Sequence, residues 1–566
     1  MTSVTHTPLQ SATGPDGNAP QRLHATHAWV EGRWQADVLM EVASDGTWAA
    51  VTPGVATPLT TGIRDEAERF GASPSTSSGR TVDGTCAVPL ERSSSKPYPP
   101  LGLSLSKPYP LLGLSLSKPY PLLGLSLSKP YPLLGLSLSK PYPPLGLSLS
   151  KPYPPLGLSL SKPQAAQQPP VPGDAYRLPG PVLPGLVNAH SHAFQRAFAG
   201  LAERREGTHD DFWSWRDRMY GVALRITPDE LQAVATTLYR EMRAGGYTHV
   251  CEFHYLHHAP DGTPYPDRGA MARALARAAQ HARIGLTLLP VLYERAGFTQ
   301  PQLRADQRRF ATTVDEVIAM RDEIRAWRLP GVDAGVAIHS LRAARAESIA
   351  ELARRCADDS GPVHIHIAEQ TGEVEDCLAA TGQRPIEWLC ANVRLDARWH
   401  LVHATHATPD EIAAVARTGA GVVVCPTTEA NLGDGLFDLP RWLAAGVPLS
   451  IGSDSHVSRQ WPRELQLLEY GQRLVHRRRN VAAAPESGEP STAQRLFQAM
   501  LQGGAAAAGR RKVGLVPGAP ADFLVMDTTV DALAGVPREN LLDALVFATD
   551  VPAFAQTWVA GVRCTP

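Results

Sequence analysis

The sequence lacks long apolar runs. No stretch of its 566 residues approaches the ~20 consecutive apolar side chains that a membrane-spanning helix needs. The segment from Met1 to Asn18 is polar and contains no hydrophobic core, so we expect no signal peptide. These absences favour a cytoplasmic protein that does not enter the membrane.

Paired cysteines and an excess of one charge are also missing. The 7 cysteines are scattered without a C-x-x-C motif, which fits reduced thiols better than a disulfide framework. Lys and Arg together number 54 and Asp and Glu 55, so the chain has no overall attraction to nucleic acid or to anionic membranes. We therefore expect neither as a partner, and any charge selectivity must come from a local site.

Residues 57–170 differ in composition from the rest of the chain. Lys-Pro recurs every eleven residues from Lys96 to Lys162, in near-identical units of the pattern S-K-P-Y-P-[PL]-L-G-L-S-L. Each full unit carries two or three prolines and a glycine, which leaves little room for a strand. We interpret the segment as a disordered or polyproline-like insertion in a surface loop, with a proline-motif binding segment and a folded repeat as alternatives.

After this segment, apolar runs alternate with amphipathic ones. Residues 228–244 and 268–283 combine helical apolar spacing with a charged opposite face. Eight apolar runs, each followed by such a segment, predict an α/β fold with a TIM-like (β/α)₈ barrel. The predicted barrel strands are residues 182–188, 248–253, 286–293, 332–339, 363–368, 399–403, 421–425 and 448–453.

Both chain ends contain further strand-like runs. Those at residues 28–30, 38–42 and 48–51 are too short to bury a core alone, so we expect them to join the runs at 514–527 and 557–563. Together they predict a small β-sandwich domain. The predicted boundaries are 20–56 and 511–566 for the two parts of the β-domain, 57–170 for the insertion, 171–183 for the return to the β-domain and the entry to the barrel, and 184–510 for the barrel.

Candidate metal ligands lie at the ends of the predicted barrel strands. His190 and His192 are two residues apart on a strand, so their side chains point the same way. His366, His403 and Asp454 also lie at C-terminal strand ends, where barrels of this kind carry functional residues. Any one of them could be a structural histidine or a helix cap, but five together predict a metal site. Imidazoles with a carboxylate suit Zn²⁺ or Fe²⁺ and leave a position for water.

Glu369 follows His366 in the sequence His-Ile-Ala-Glu. A carboxylate there can pass a proton from metal-held water to a leaving nitrogen, because the metal lowers the pKa of that water toward ~7. A solvated glutamate at the start of the next helix is the alternative. The segment from Cys425 to Gly433 is either a structural turn or a substrate contact.

Several motifs resemble the amidohydrolase superfamily, specifically its mononuclear deaminase branch. They are P-G-L-V-N-A-H-S-H from Pro184, H-I-A-E from His366, Ser453-Asp454, and G-x-x-x-G-x-x-A-D from Gly514. Within that branch, residues 192–197, 212–216, 252–258 and 364–370 are similar to the family of formimidoylglutamate deiminases. The resemblance covers residues 23–56 and 171–566. It implies hydrolysis of N-formimino-L-glutamate to N-formyl-L-glutamate and ammonia, in histidine degradation.

The resemblance also implies the roles of individual residues. One divalent metal ion per chain, zinc or alternatively iron, would be held by His190, His192, His366 and Asp454. Glu369 would shuttle protons, His403 would orient or polarise the attacking water, and Asp454 would also accept a proton. A homodimer is implied as well. The implied substrate-binding residues are Gln195, Arg216, Tyr255, His339 and Arg342.

Three alternatives remain open at this point. Deaminases of guanine, adenosine-type bases or triazines share the metal ligands, although a purine pocket does not need paired cations such as Arg216 and Arg342, whose forks suit a small molecule with two carboxylates. An interaction protein with an inactive barrel could instead bind partners through its repeat. The cluster of His254, His257 and His258 suggests packing and hydrogen bonds that support the metal ligands, rather than a second metal.

Overall fold

The structure is a computed structural model that describes residues 21–55, 175–205 and 210–564. The predicted insertion, residues 57–170, lies outside the described residues. Its two flanks meet the same hairpin, because Val55 N–H donates to Asp37 O at 3.1 Å and Leu178 N–H donates to His24 O at 2.9 Å. His24 and Asp37 lie on the paired strands of that hairpin.

The strands belong to two sheets. In the described part of the chain they are β1 (Gln21–Val30), β2 (Arg33–Val42), β3 (Trp48–Thr52), β4 (Tyr176–Arg177), β5 (Val182–Pro184), β6 (Leu186–Ser191), β7 (Tyr247–His254), β8 (Gly285–Leu292), β9 (Val332–Ala334), β10 (Val336–Ile338), β11 (Val363–Ile367), β12 (Trp399–His403), β13 (Gly421–Val424), β14 (Leu449–Ile451), β15 (Phe523–Met526), β16 (Phe554–Val559) and β17 (Val562–Cys564).

Helices connect the strands. The α-helices of the described residues are α1 (Phe212–Ala223), α2 (Pro228–Ala244), α3 (Ala270–Ala282), α4 (Val314–Ala326), α5 (Ala346–Arg355), α6 (Thr371–Thr381), α7 (Pro385–Asn392), α8 (Pro409–Thr418), α9 (Pro426–Leu432), α10 (Leu439–Ala444), α11 (Trp461–His476), α12 (Thr492–Ala507) and α13 (Leu541–Phe547). Short 3₁₀ helices span Ala193–Phe198, Ala305–Gln307, Pro485–Ser487 and Arg538–Asn540.

The larger sheet is a nearly closed barrel of eight parallel strands, which confirms the predicted fold class. Its strand order is β6, β7, β8, β10, β11, β12, β13, β14, with the short β9 beside β8. An isolated parallel bridge between Ser191 and Asp454 joins the two outer strands. Asn188 reinforces this junction by bonding the backbone and hydroxyl of Ser453 at 2.9 and 2.7 Å. The C-terminal strand ends therefore meet around one mouth.

The prediction of residues 182–188 as one strand was wrong. Gly185 separates β5, which pairs with β1 and β15 in the smaller sheet, from β6, which enters the barrel. A Cβ at Gly185 would lie 2.3 Å from the side chain of Thr248, so the chain turns where only glycine fits. The predicted strand 332–339 is likewise interrupted, at Gly335, into β9 and β10.

The smaller sheet contains strands from both chain ends. Its order is β17, β16, β15, β5, β1, β2, β3, and β4 pairs with β1. The sheet curls back on itself. The backbone N–H of Trp48, on the outer strand β3, donates to the carbonyl of Ala519 at 2.8 Å, and Ala519 lies just before β15. The Phe523 ring stacks on Trp558 at 5.1 Å and contacts Trp48 at 5.4 Å. Residues from the two ends thus share one core.

The helix boundaries follow from local sequence signals. Helix α2 spans the residues predicted for it, with Thr227 and Glu230 forming a capping box, Pro228 in the first turn and Gly245 at its end. The same signals recur at α8, which Thr408 caps. No helix among the described residues is long and apolar enough to cross a membrane.

Candidate active site

Three histidines converge at the barrel mouth. His190 ends β6 with its neighbour Ser191, His192 follows directly, and His366 lies on β11. All three are buried. The Nε2 atom of His190 lies 3.1 Å from Nε2 of His192 and 2.9 Å from Nε2 of His366. The rings therefore direct the same nitrogen at one point.

A carboxylate completes this group. Asp454, just after β14, places Oδ1 3.5 Å from Nε2 of His190 and 3.3 Å from Nε2 of His192. Ligand atoms from His190, His192, His366 and Asp454 all lie within 4.8 Å of one another. Burial would raise the pKa of Asp454, but the hydrogen bond and charge of His190 and the other histidines hold it well below its usual range.

Hydrogen bonds of the Nδ1 atoms fix the tautomers of two of the rings. His192 Nδ1 lies 3.1 Å from Phe253 O, and His366 Nδ1 lies 2.9 Å from His339 O. Because a carbonyl only accepts, each Nδ1 carries the hydrogen and each Nε2 turns its lone pair toward the centre. Burial also lowers the pKa of His190 to about 3, so its imidazole is neutral. This donor set fits a divalent cation of the zinc type.

The backbone at these strand ends is unusual. His403, the last residue of β12, has φ 70°, Asp454 has φ 46°, and Ala368, between His366 and Glu369, has φ 51°. Left-handed backbone at a non-glycine residue is disfavoured, and such residues concentrate at functional sites. The strands therefore turn sharply where their side chains meet the candidate site.

Glu369 and His403 lie beside the candidate metal ligands. His403 Nε2 lies 3.7 Å from Glu369 Oε1 and 3.8 Å from Asp454 Oδ2. Burial raises the pKa of Glu369 to about 7. Burial alone would lower the pKa of His403, but the carboxylates of Glu369, Glu429 and Asp454 raise it to about 10. At neutral pH this pair combines a protonated imidazole with a carboxyl that can titrate.

Sequence reasoning missed the partner of His403. Glu429, on α9, accepts from His403 Nδ1 at 3.2 Å and from Cys425 N–H at 2.9 Å through the same Oε1 atom. The segment from Cys425 to Gly433 therefore orients His403, a role that was not among its two interpretations. The i, i+4 spacing of Cys425 and Glu429 could not indicate this contact, because the hydrogen bond to His403 joins residues that are distant in sequence and meet only in the folded protein.

Another missed residue supports the loop after β6. Glu252 on β7 is buried, and it accepts from Ala193 N–H, from the Ser191 hydroxyl at 2.7 Å and from the Tyr239 hydroxyl at 3.0 Å. A charged residue inside a barrel strand is the only signal that could have indicated it. These bonds hold the backbone on both sides of His192.

A cavity opens from the candidate metal ligands toward solvent. All five predicted substrate-binding residues line it: Gln195, Arg216, Tyr255, His339 and Arg342. Gln195 Nε2 donates to the Tyr255 hydroxyl at 3.2 Å. Phe310 and Tyr293 pack against these rings, so the cavity wall near the ligands is rigid and aromatic.

Two guanidinium groups of the cavity share one aromatic support. The Cζ atoms of Arg216 and Arg342 lie 4.5 and 5.1 Å from the centre of the Trp213 ring. Arg216 Nε is buried without a hydrogen-bond partner among the described residues. Arg216 Nη2 lies 3.6 Å from Oδ1 of the exposed Asp217. The charge of Arg342 partly offsets the rise in the pKa of Glu369 and Glu373 that burial causes. The cavity thus presents two cations that anionic groups of a ligand can pair with.

The cluster of His254, His257 and His258 lies apart from this site. The rings of His254 and His257 meet edge to face with their centres 4.8 Å apart, and His258 Nε2 bonds Ala311 O at 2.8 Å. Within residues 21–55, 175–205 and 210–564, none of the three belongs to a group that could hold a metal ion. The rings pack against one another, as favoured above, whereas neither ring nitrogen of His257 has a hydrogen-bond partner among the described residues.

Comparison with known proteins agrees with this geometry. The amidohydrolase family matches residues 182–564, from β5 to the end of β17. The chain belongs to the amidohydrolase family. Metal dependence is general in this family, so the convergent His and Asp donors are the metal-binding residues to examine.

The alignments with curated relatives cover most of the length of each relative. Formimidoylglutamate deiminase of Pseudomonas aeruginosa is 47% identical over 388 residues, which are 68% of this chain and 85% of the relative. A 5-methylthioadenosine/S-adenosylhomocysteine deaminase of Natronomonas pharaonis is 28% identical over 67% of this chain and 80% of the relative. The first relative is thus much more similar in sequence.

Solved structures share the fold. An amidohydrolase from Brucella melitensis is 34% identical with a TM-score of 0.72, covering 96% of this chain and 94% of that one. A zinc-bound adenosine deaminase from Xanthomonas campestris is 18% identical with a TM-score of 0.62, covering 96% and 93%. At that identity, the second resemblance concerns the fold alone.

Proposed function

We propose that this amidohydrolase hydrolyses N-formimino-L-glutamate to N-formyl-L-glutamate and ammonia. The observation that carries the proposal is the cavity that joins the His and Asp donors to Arg216 and Arg342. The substrate has two carboxylates at one end and a cationic formimino group at the other. The guanidinium forks of Arg216 and Arg342 bind the carboxylates, and the His and Asp donors at the other end of the cavity supply the hydrolytic groups.

The proposed metal ligands are His190, His192, His366 and Asp454. Zinc fits their neutral imidazoles and carboxylate, with Fe²⁺ as the alternative and one ion per chain. When bound, such an ion lowers the pKa of a water molecule toward ~7. The tautomers fixed by the carbonyls of Phe253 and His339 keep the Nε2 atoms of His192 and His366 free for the ion.

Glu369 and His403 move and hold protons in this proposal. The protonated His403, held by Glu429, donates from Nε2 toward the attacking water and orients its lone pair. The water oxygen adds to the formimino carbon while Glu369 takes a proton from the water. Glu369 then protonates the nitrogen, the carbon–nitrogen bond breaks, and ammonia leaves. A carboxyl with a pKa of about 7 can perform both transfers at neutral pH, and Asp454 can accept the remaining proton.

Gln195, Tyr255 and His339 position the substrate between these two ends. All three residues line the same cavity as Arg216 and the candidate metal ligands. Gln195 and Tyr255 are mutually hydrogen-bonded, so their donors are already oriented before a ligand arrives.

We further propose that the protein acts in histidine degradation, in the cytoplasm, as a homodimer. The described cysteines are free, which suits a reducing compartment. Two side chains of α11, Tyr470 and Leu474, are apolar and exposed, and a Cβ at Gly471 on the same helix would lie 2.8 Å from Cδ2 of the exposed Leu436. This part of the surface offers apolar area for a second copy. Light scattering of the purified protein measures its mass and tests this state.

Ammonia release from N-formimino-L-glutamate tests the function. Purified protein should release ammonia rapidly, lose the activity on chelation and regain it with zinc. Guanine and adenosine, which have no carboxylate for the two arginines to bind, should not react. Release from a purine but not from N-formimino-L-glutamate would reject the proposed substrate and favour another deaminase.

A further inference from the structure

Two buried carboxylate oxygens beside Glu369 have no hydrogen-bond partner among the described residues. They are Oε1 of Glu373 and Oδ2 of Asp434. Both side chains are only 5% exposed. Burying an unpaired carboxylate is costly, and neither oxygen has a role in the proposed hydrolysis. Such oxygens indicate a cationic or hydrogen-bonding ligand.

Glu373 lies on α6, directly after the proton-transferring residue. Its Oε2 atom accepts the backbone N–H of Glu369 at 3.1 Å, which fixes the carboxylate beside that residue. Glu373 also lines the substrate cavity. The carboxylate with the buried, unpaired Oε1 atom is therefore part of the cavity wall next to Glu369.

Asp434 approaches Glu369 from the loop after α9. A carboxylate oxygen of Asp434 lies within 4.8 Å of ligand atoms of Glu369 and His403. Its Oδ1 atom accepts from Gln370 Nε2, and its backbone N–H donates to Glu429 O at 3.0 Å. The loop is thus held in place while Oδ2 stays unpaired.

The overall proposed reaction starts from one cation and yields one cation. The protonated formimino group and water give a formamide and ammonium: ammonia leaves as a neutral molecule, Asp454 accepts the hydroxyl proton of the collapsing intermediate, and ammonia then takes up that proton, so charge and atoms balance. Glu369 delivers a proton to the departing nitrogen, and Glu373 and Asp434 flank Glu369. Their carboxylates are consequently close to the place where ammonium forms.

Resting on the proposed function, we propose that Glu373 and Asp434 form a subsite for the departing ammonium ion. Two acceptors that lack partners bind N–H groups of the cation, and Gln370 holds Asp434 in position. The subsite draws ammonium away from the formamide carbon and opposes the reverse reaction. Burial raises the pKa of Glu373 and raises that of Asp434 to about 9, and a cation beside them removes the penalty for ionisation.

Inhibition by ammonium chloride tests the subsite. The zinc-loaded enzyme is assayed for N-formyl-L-glutamate at constant ionic strength, with sodium chloride replacing ammonium chloride. Glu373→Gln and Asp434→Asn keep shape and one acceptor but remove the charge. Each should raise the inhibition constant for ammonium about tenfold, as expected for losing one hydrogen bond to a charged group. Glu375→Gln, exposed on the same helix, should leave it unchanged.

A second measurement does not depend on turnover. Ammonium chloride should raise the Tm of the zinc-loaded protein above its value in sodium chloride, and both variants should lose this difference. Inhibition constants and Tm differences equal to those of the wild type in both variants would overturn the subsite. Failure of the wild type to hydrolyse N-formimino-L-glutamate would instead reject the proposed function, and the Tm measurement would still test ammonium binding.

Discussion

At the scale of single residues, the active site separates two titratable groups by their surroundings. Glu369 is buried, which raises its pKa to about 7, whereas His403 is surrounded by carboxylates that raise its pKa to about 10. One group can therefore exchange protons near neutral pH while the other stays charged. In the proposed function, this divergence suits Glu369 to the role of proton shuttle and His403 to that of a fixed donor.

Replacing the proposed proton shuttle should stop turnover without releasing the metal. We expect Glu369→Gln to lower kcat by about 10²- to 10⁴-fold, because proton transfer in the transition state is lost. Zinc content should stay at the wild-type value, since Glu369 is not among the four proposed ligands. Steady-state kinetics and metal analysis measure the two effects. A kcat within threefold of the wild type would contradict the proposed role.

The arginine pair should determine recognition of the carboxylates. We expect Arg216→Gln and Arg342→Gln each to lower kcat/KM roughly 10- to 100-fold, as for lost hydrogen bonds between charged groups. The loss in kcat/KM should be smaller with a formimino substrate that lacks one of the two carboxylates. Arg354→Gln, exposed on α5, serves as the control. Equal penalties on both substrates would argue against direct contact.

Residue identity predicted some parts of the site better than others. Histidines at strand ends were visible because barrels place functional groups there. Glu429 was not, because its bond to His403 depends on how α9 packs against β12, and sequence spacing carries no such information. Glu373 and Asp434 were missed for the same reason, although Glu373 lies only four residues beyond Glu369.

At the scale of elements, apolar runs located the barrel strands, but breaks within a run were not visible. Strand β12 occupies the predicted residues, because its ends coincide with the ends of the apolar run. The run from Val182 to Asn188 continues through Gly185, where the chain passes from one sheet to the other. Hydrophobicity reports burial, and both sheets bury this segment, so the pattern could not separate them.

A substitution at this junction should weaken the fold. We expect Gly185→Ala to destabilise the protein by about 1–3 kcal/mol, because the added Cβ overlaps the Thr248 side chain and the packing must shift. Gly221→Ala is the matched control, since a Cβ there meets nothing within 4 Å inside α1 and helix propensity improves. Thermal unfolding compares the two. Equal Tm values for both variants would show that the junction tolerates a side chain.

At the scale of the whole molecule, the smaller sheet connects distant parts of the chain. Strands β1–β3, β15 and β16 share a core around Trp48 and Trp558, and β5 leads directly from this sheet into β6, the strand that carries His190. Damage to the sheet should therefore reach the barrel through β5.

Deleting residues 95–162 should preserve the enzyme. The flanks of the predicted insertion bond the same hairpin, with Val55 next to Asp37 and Leu178 next to His24, and His24 Nε2 lies 3.9 Å from Asp37 Oδ1. The remaining loop easily spans this gap, and loop shortening changes the closure entropy only slowly. We expect kcat, KM and Tm close to those of the full chain. Lost activity would show that the repeat supports the barrel, whereas retained activity with loss of a bound protein partner would assign the repeat a separate role.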